Sequence, residues 1–185
     1  MKIINKLLLL GLFTMFLYGC SDNNSNPVEF SNSEAELNKK NPANGTTIYD
    51  VASTNPNFSI LAAAVDAAGF DKLLDGNRQF TVFAPTNAAF ETLLANLGLS
   101  AEELLADTEL LKTVLSYHVS PGQKKSGNVL SSGRVNTLLG SFIFSKIENS
   151  VPKVGNDVNG YAAIETADLR VSNGYIHIID AVLIP

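Results

Sequence analysis

Cysteine is nearly absent from this chain: Cys20 is the only one in 185 residues, so no intramolecular disulfide can form. Stability must therefore come from a buried core. Histidine is almost as scarce, at two residues, so a zinc site would need to recruit several carboxylates. No His-Glu-x-x-His spacing offers one, no Gly-x-Ser-x-Gly elbow occurs, and no glycine-rich phosphate loop leads into a helix. No cofactor motif is legible. Basic residues are outnumbered 13 to 18 by acidic ones, for a formal net charge of −5. That balance argues against nucleic acid or an anionic membrane face as the partner, because both reward a basic patch. There is no internal repeat, and the apolar run at residues 7–17 is too short for a good membrane span.

What is present begins at the N-terminus. Lys2 and Lys6 precede the apolar run, the arrangement of a secretory signal. The run ends in Leu17-Tyr18-Gly19-Cys20, which resembles a bacterial lipobox, with Cys20 as the lipidation site and residues 1–19 as the signal peptide. Acyl chains contribute about 0.8 kcal/mol per buried methylene, so a multiply acylated cysteine would hold the chain to a bilayer. The competing reading is cleavage by an ordinary signal peptidase to give a soluble protein. Loss of residues 1–19 removes two lysines, leaving 11 basic against 18 acidic residues and a formal charge of −7. Residues 20–43 are polar and rich in asparagine, as expected of a flexible tether. About 25 such residues reach roughly 25 to 30 Å. Ser21-Asp22-Asn23-Asn24 is similar to the short Ser/Asp-rich export signals of surface lipoproteins. The expected location is the bacterial outer membrane, with surface display as the arrangement those residues favour.

Residues 44–185 are expected to form one domain. Asn55 can cap a helix that carries Phe58, Leu61, Ala62 and Val65 on one face until Gly69. Thr86 or Asn87 starts another, with Phe90, Leu93, Leu94 and Leu97 at i, i+3, i+4, i+7 and Gly98 as its stop. Ser100 and Glu103 form a capping-box pattern, and a helix from Asp107 places Leu111, Val114, Leu115 and His118 on one stripe. From Arg134 the pattern changes to short strands. Asn159-Gly160 and Asn173-Gly174 read as hairpin turns because both residue types tolerate positive φ. Helices early and strands late predict an α+β domain with segregated layers.

Two segments carry the most information. Thr81 to Phe90, Thr-Val-Phe-Ala-Pro-Thr-Asn-Ala-Ala-Phe, reads as a strand ended by Pro85 and followed by a helix cap. Asn173 to Pro185 reads as a turn and a strand with both faces at least partly buried, Ile176 and Ile178 on one and Tyr175, His177 and Ile179 on the other. Asp180 at its end can accept hydrogen bonds from backbone or from a histidine. With Tyr117-His118 between them, these segments resemble the two signature boxes and the Tyr-His element of the fasciclin (FAS1) domain family. The resemblance spans residues 46–185. It implies a wedge of two small β-sheets with helices packed along one side, and an adhesion or matrix role without catalysis.

A Ser-His-Asp arrangement using His177 and Asp180 can be drawn on paper, but on a strand the two point to opposite faces. A histidine on a leucine stripe, as His118 is, reads first as a hydrogen-bonded core residue. The resemblance instead nominates Tyr117 and His118, with Val114 and Leu115, as an interaction site. Lys124, Lys125 and Lys146 read as ordinary solvated charges. The functional expectation is a lipid-anchored envelope module that binds a glycan, a matrix polymer or a surface protein. An accessory subunit of an envelope complex and, more remotely, a small-ligand enzyme are the alternatives.

Overall fold

The computed structural model describes residues 45–185. The expected signal peptide, Cys20 and the tether lie outside the described residues. Thr47 opens helix α1 (Ile48–Thr54): its side chain accepts from the Asp50 amide while the Asp50 carboxylate accepts from the Thr47 amide. Asn55 caps as expected, but through a 3₁₀ turn (Pro56–Phe58) that leads into α2 (Ser59–Ala68), and Gly69 ends α2 at φ 71°. The face α2 buries is Leu61, Ala64, Val65 and Ala68, with Ala62 at its margin. One turn, α3 (Asp71–Leu74), precedes the first strand.

Strand β1 (Phe80–Pro85) is buried along its whole length. Thr86 caps α4 (Asn87–Leu97), accepting from the Ala89 amide, while Asn87 reaches back to the Ile60 amide and the Pro56 carbonyl. The expected capping box opens α5 (Ala101–Ala106), and Asp107 caps α6 (Thr108–His118). Strand β2 (Val119–Pro121) follows directly. Helix α7 (Ser126–Ser132) was not anticipated; its Ser-Gly-Asn-Val-Leu-Ser-Ser has no stripe beyond Val129, and that one residue is what it buries. Four further strands and a short one complete the domain: β3 (Arg134–Asn136), β4 (Phe142–Glu148), β5 (Val151–Asn156), β6 (Gly160–Val171) and β7 (Gly174–Ile179).

The strands run in the order β2-β1-β7-β6-β5-β4-β3. The expected two small sheets are joined through β6. Gly160 to Ala163 pair with β5, whereas Ile164 to Val171 pair with β7, and register shifts on either side of Thr166 bend the strand between them. Such irregularities increase local twist and let one strand serve two sheets. The second half of the chain is the expected antiparallel meander. One pairing in the domain is parallel. It joins β1 to β7, residue by residue from Phe80 opposite Gly174 to Pro85 opposite Ile179. The two signature segments, roughly ninety residues apart in the sequence, are thus neighbours.

Alternation along these two strands divides the interior. Phe80, Val82, Ala84 and Ile176 enter a core with α1, α2, α4, α5 and α6, while Phe83 and Ile179 enter a second core with Tyr117, Val129, Val135, Ile143 and Val154.

The turns fall where expected, and the glycine of each pair has positive φ, Gly160 at 94° and Gly174 at 155°, but neither Asn159 nor Asn173 does. Asn173 is instead a buried tie: it accepts from the Ile48 amide (2.9 Å) and donates to the carbonyls of Leu74 (2.5 Å) and Gly76 (3.0 Å). The hairpin with both central residues left-handed is Asn149-Ser150, at φ 52° and 66°.

Candidate functional site

Helices α4, α5 and α6 do not close on one another. Between them and the segment after β7 lies a cleft of about 370 Å³, walled by Leu93, Leu97, Leu99, Leu110, Val114 and Ile184 and floored by Phe90, Leu104, Leu111, Leu115 and His118. Leu97 is 52% exposed and Leu110 39%, so the apolar stripe that α4 and α6 present is wider than the core can cover. Leu97, gathered by its spacing on one side of the helix with Phe90, Leu93 and Leu94, lies on this rim. The sequence signal was present in the stripe itself, but nothing in periodicity distinguishes a leucine that meets the core from one that overhangs it.

His118 closes the inner end. As the last residue of α6 it hydrogen-bonds Val114 O through Nδ1 (2.8 Å), and Nε2 accepts from the Leu183 amide (2.9 Å). These partners assign Nδ1 as the protonated nitrogen. Burial pushes its pKa down to about 4, only partly opposed by the Val114 carbonyl, so the ring is neutral at physiological pH. The bond to Leu183 fixes the tail: Leu183 enters the second core while Val182 and Ile184 flank the cleft.

The four nominated residues therefore separate. Val114, Leu115 and His118 line the cleft. Tyr117 faces the second core, where its hydroxyl donates to Phe142 O (3.1 Å) and accepts from Asn156 Nδ2 (3.2 Å). Adjacent positions at a helix end point in different directions, and α6 uses that to bind the two cores together.

The second histidine is also held by backbone. His177 Nδ1 accepts from the Asp168 amide (3.1 Å) and Nε2 donates to Lys124 O (3.0 Å), beside the Phe83 ring at 5.5 Å. Burial lowers its pKa too. Asp180 does not meet it, accepting instead from the Ala163 amide (2.7 Å). The carboxylate near His177 belongs to Asp168, at φ 62° in the bent part of β6, and it is taken up by the Ser126 amide and hydroxyl at 2.7 and 2.6 Å. Each ring nitrogen of both histidines thus has a backbone partner. A general base needs a nitrogen within reach of a reacting proton, and neither ring offers one. Among the described residues no group of three or more His, Cys, Asp or Glu is placed to hold a metal ion.

One lysine departs from the solvated reading, whereas Lys146 stays exposed as expected. Lys124 is half-buried, its ammonium on Pro121 O and its pKa lowered by desolvation. Lys146 pairs with Glu148 (3.5 Å) and lies 4.0 Å over the Tyr161 ring.

Comparison with known proteins agrees with this architecture. The fasciclin domain model matches residues 56–185. Protein sll1483 of Synechocystis is 40% identical over 75% of this chain and 73% of its own length. Cell surface glycolipoprotein MPB83 of Mycobacterium bovis is 33% identical, over 75% of this chain and 60% of its own. Among solved structures, the FAS1 domain pair of the insect cell adhesion molecule fasciclin I superposes with a TM-score of 0.67 at 18% identity, over 75% of this chain and 51% of that one, a likeness of fold. The wedge, the paired signature segments and these matches together show that the chain belongs to the fasciclin domain family, whose domains are adhesion-related.

Proposed function

We propose that this chain is a lipid-anchored, non-catalytic adhesion or interaction module of the cell envelope, which contacts a glycan, a matrix polymer or a surface protein through the cleft between α4 and α6. The observation that carries the reading is the exposed leucine rim around a wholly apolar hollow, in a domain whose two histidines are committed to backbone. Contiguous apolar surface of this kind commonly marks a contact site. Anchorage through Cys20 is supported by the lipobox-like residues before it, and a surface location by the relative MPB83, described as a cell surface glycolipoprotein.

The test compares cells that display the full chain with cells that display a Leu97→Ser/Leu110→Ser variant at equal surface density. Attachment to a panel of glycans, matrix polymers and neighbouring cells should fall at least tenfold in the variant. Equal attachment by both would remove the cleft from the reading. Protease shaving of intact cells tests exposure: a tether at residues 20–43 that resists cleavage on intact cells, but not on lysed ones, would favour the accessory-subunit alternative.

A further inference from the structure

Resting on the cleft as the contact surface, the geometry points to one class of occupant: we propose that it receives a basic amphipathic helix of a partner protein. Two walls of the cleft, on α4 and α6, are helical and apolar, the setting in which a third helix packs its i, i+3, i+4 and i+7 side chains between two others. What selects the partner is charge. From Gln79 to Leu111 the chain has five acidic residues, Glu91, Glu102, Glu103, Asp107 and Glu109, all exposed, and no basic one. Lys112, the next cation, is held by Glu109 at 2.9 Å. Glu103, in the capping box, has its pKa lowered by hydrogen bonds from Ser100 and so stays ionised.

An apolar hollow on helices whose charges before Lys112 are all acidic discriminates among occupants. A second copy would bring the same acidic leucine surface against itself, and like charges brought together oppose docking. The chain's own segment 20–43 holds Asp22, Glu29, Glu34 and Glu36 against Lys39 and Lys40, so it is net acidic as well. A fatty acid or an acidic glycan carries the same sign. A neutral glycan would find no free polar atom in the lining, because both nitrogens of His118 are already taken by backbone. An apolar helix face flanked by lysine or arginine satisfies both the hollow and its surroundings, and long-range attraction would speed its encounter.

The test uses the purified full chain and a synthetic amphipathic helix of about five turns, with leucines on one face and lysines beside them. An acidic twin carries glutamate at each lysine. The basic peptide should bind, its affinity should fall with added salt, and it should lose at least tenfold on Leu97→Ser/Leu110→Ser and several-fold on Glu91→Gln/Glu102→Gln. Equal binding of the acidic twin, unchanged binding by either variant, or no binding by a chain shown to be folded by circular dichroism would each overturn the proposal. So would a leucine-dependent dimer in sedimentation. If the peptide fails while cell attachment still depends on Leu97 and Leu110, this inference alone falls; if attachment ignores both leucines, the cleft reading itself fails.

Discussion

Neutral imidazole is the form both buried histidines require, because one nitrogen of each must accept a backbone N–H: Leu183 for His118 and Asp168 for His177. The folded pKa of His118, about 4, lies below the ordinary value of 6.5. Between those values the unfolded chain binds the proton and the folded chain does not, so stability is full above pH 6.5 and declines as pH falls towards 4. The loss from His118 is of order 3 kcal/mol, and His177 adds to it in the same direction. Urea midpoints at pH 7 and pH 4 measure this, and His118→Gln should flatten much of the slope. Asn173→Ala is expected to cost roughly 2 to 4 kcal/mol, since it strands the Ile48 amide and two carbonyls in the interior; equilibrium denaturation checks it. The sequence made Asn173 look like a turn former. Its actual partners lie roughly a hundred residues or more away, at Leu74, Gly76 and Ile48, a distance that no local pattern encodes.

Elements whose ends are written in local chemistry were the legible ones. Thr86 before α4, the Ser100/Glu103 box before α5 and glycines at 69 and 98 are caps, and a cap is set within a few residues of itself. The three cleft residues Val114, Leu115 and His118 were legible as one stripe, whereas the rim role of Leu97 depends on how far α5 stands off, which is a tertiary fact. The β4–β5 turn escaped because its left-handed pair is Asn149-Ser150 in place of Asn-Gly. Ser150→Gly should therefore stabilise the hairpin by up to about 1 kcal/mol, measured as a rise in thermal midpoint. At the other turn, Gly174 sits at φ 155° where a Cβ would run into the Phe80 carbonyl. Gly174→Ala must push β7 away from β1, at a cost of roughly 3 kcal/mol or more, read from the same denaturation curve.

At the scale of the whole molecule, the proposed function assigns location and contact to separate segments. Cys20→Ser should move the chain from the membrane fraction to the soluble fraction of the envelope without changing the domain's unfolding midpoint, as fractionation and calorimetry would show. The leucine double variant should do the reverse, keeping the anchor while attachment falls and stability shifts by less than about 1 kcal/mol. The family was legible from three short motifs, yet their spatial relation was not: the parallel pairing of β1 with β7 is invisible to any window of sequence. That pairing also sets an order of events in time. β7 lies inside the sheet, between β1 and β6, but it is made after every other strand of the domain. Were the chain threaded N-terminus first across a membrane, as the proposed export signal requires, the central place would stay unfilled and the second core could not close before Ile179 had emerged. On that route a domain whose keystone strand arrives last would delay its own folding until the chain is through.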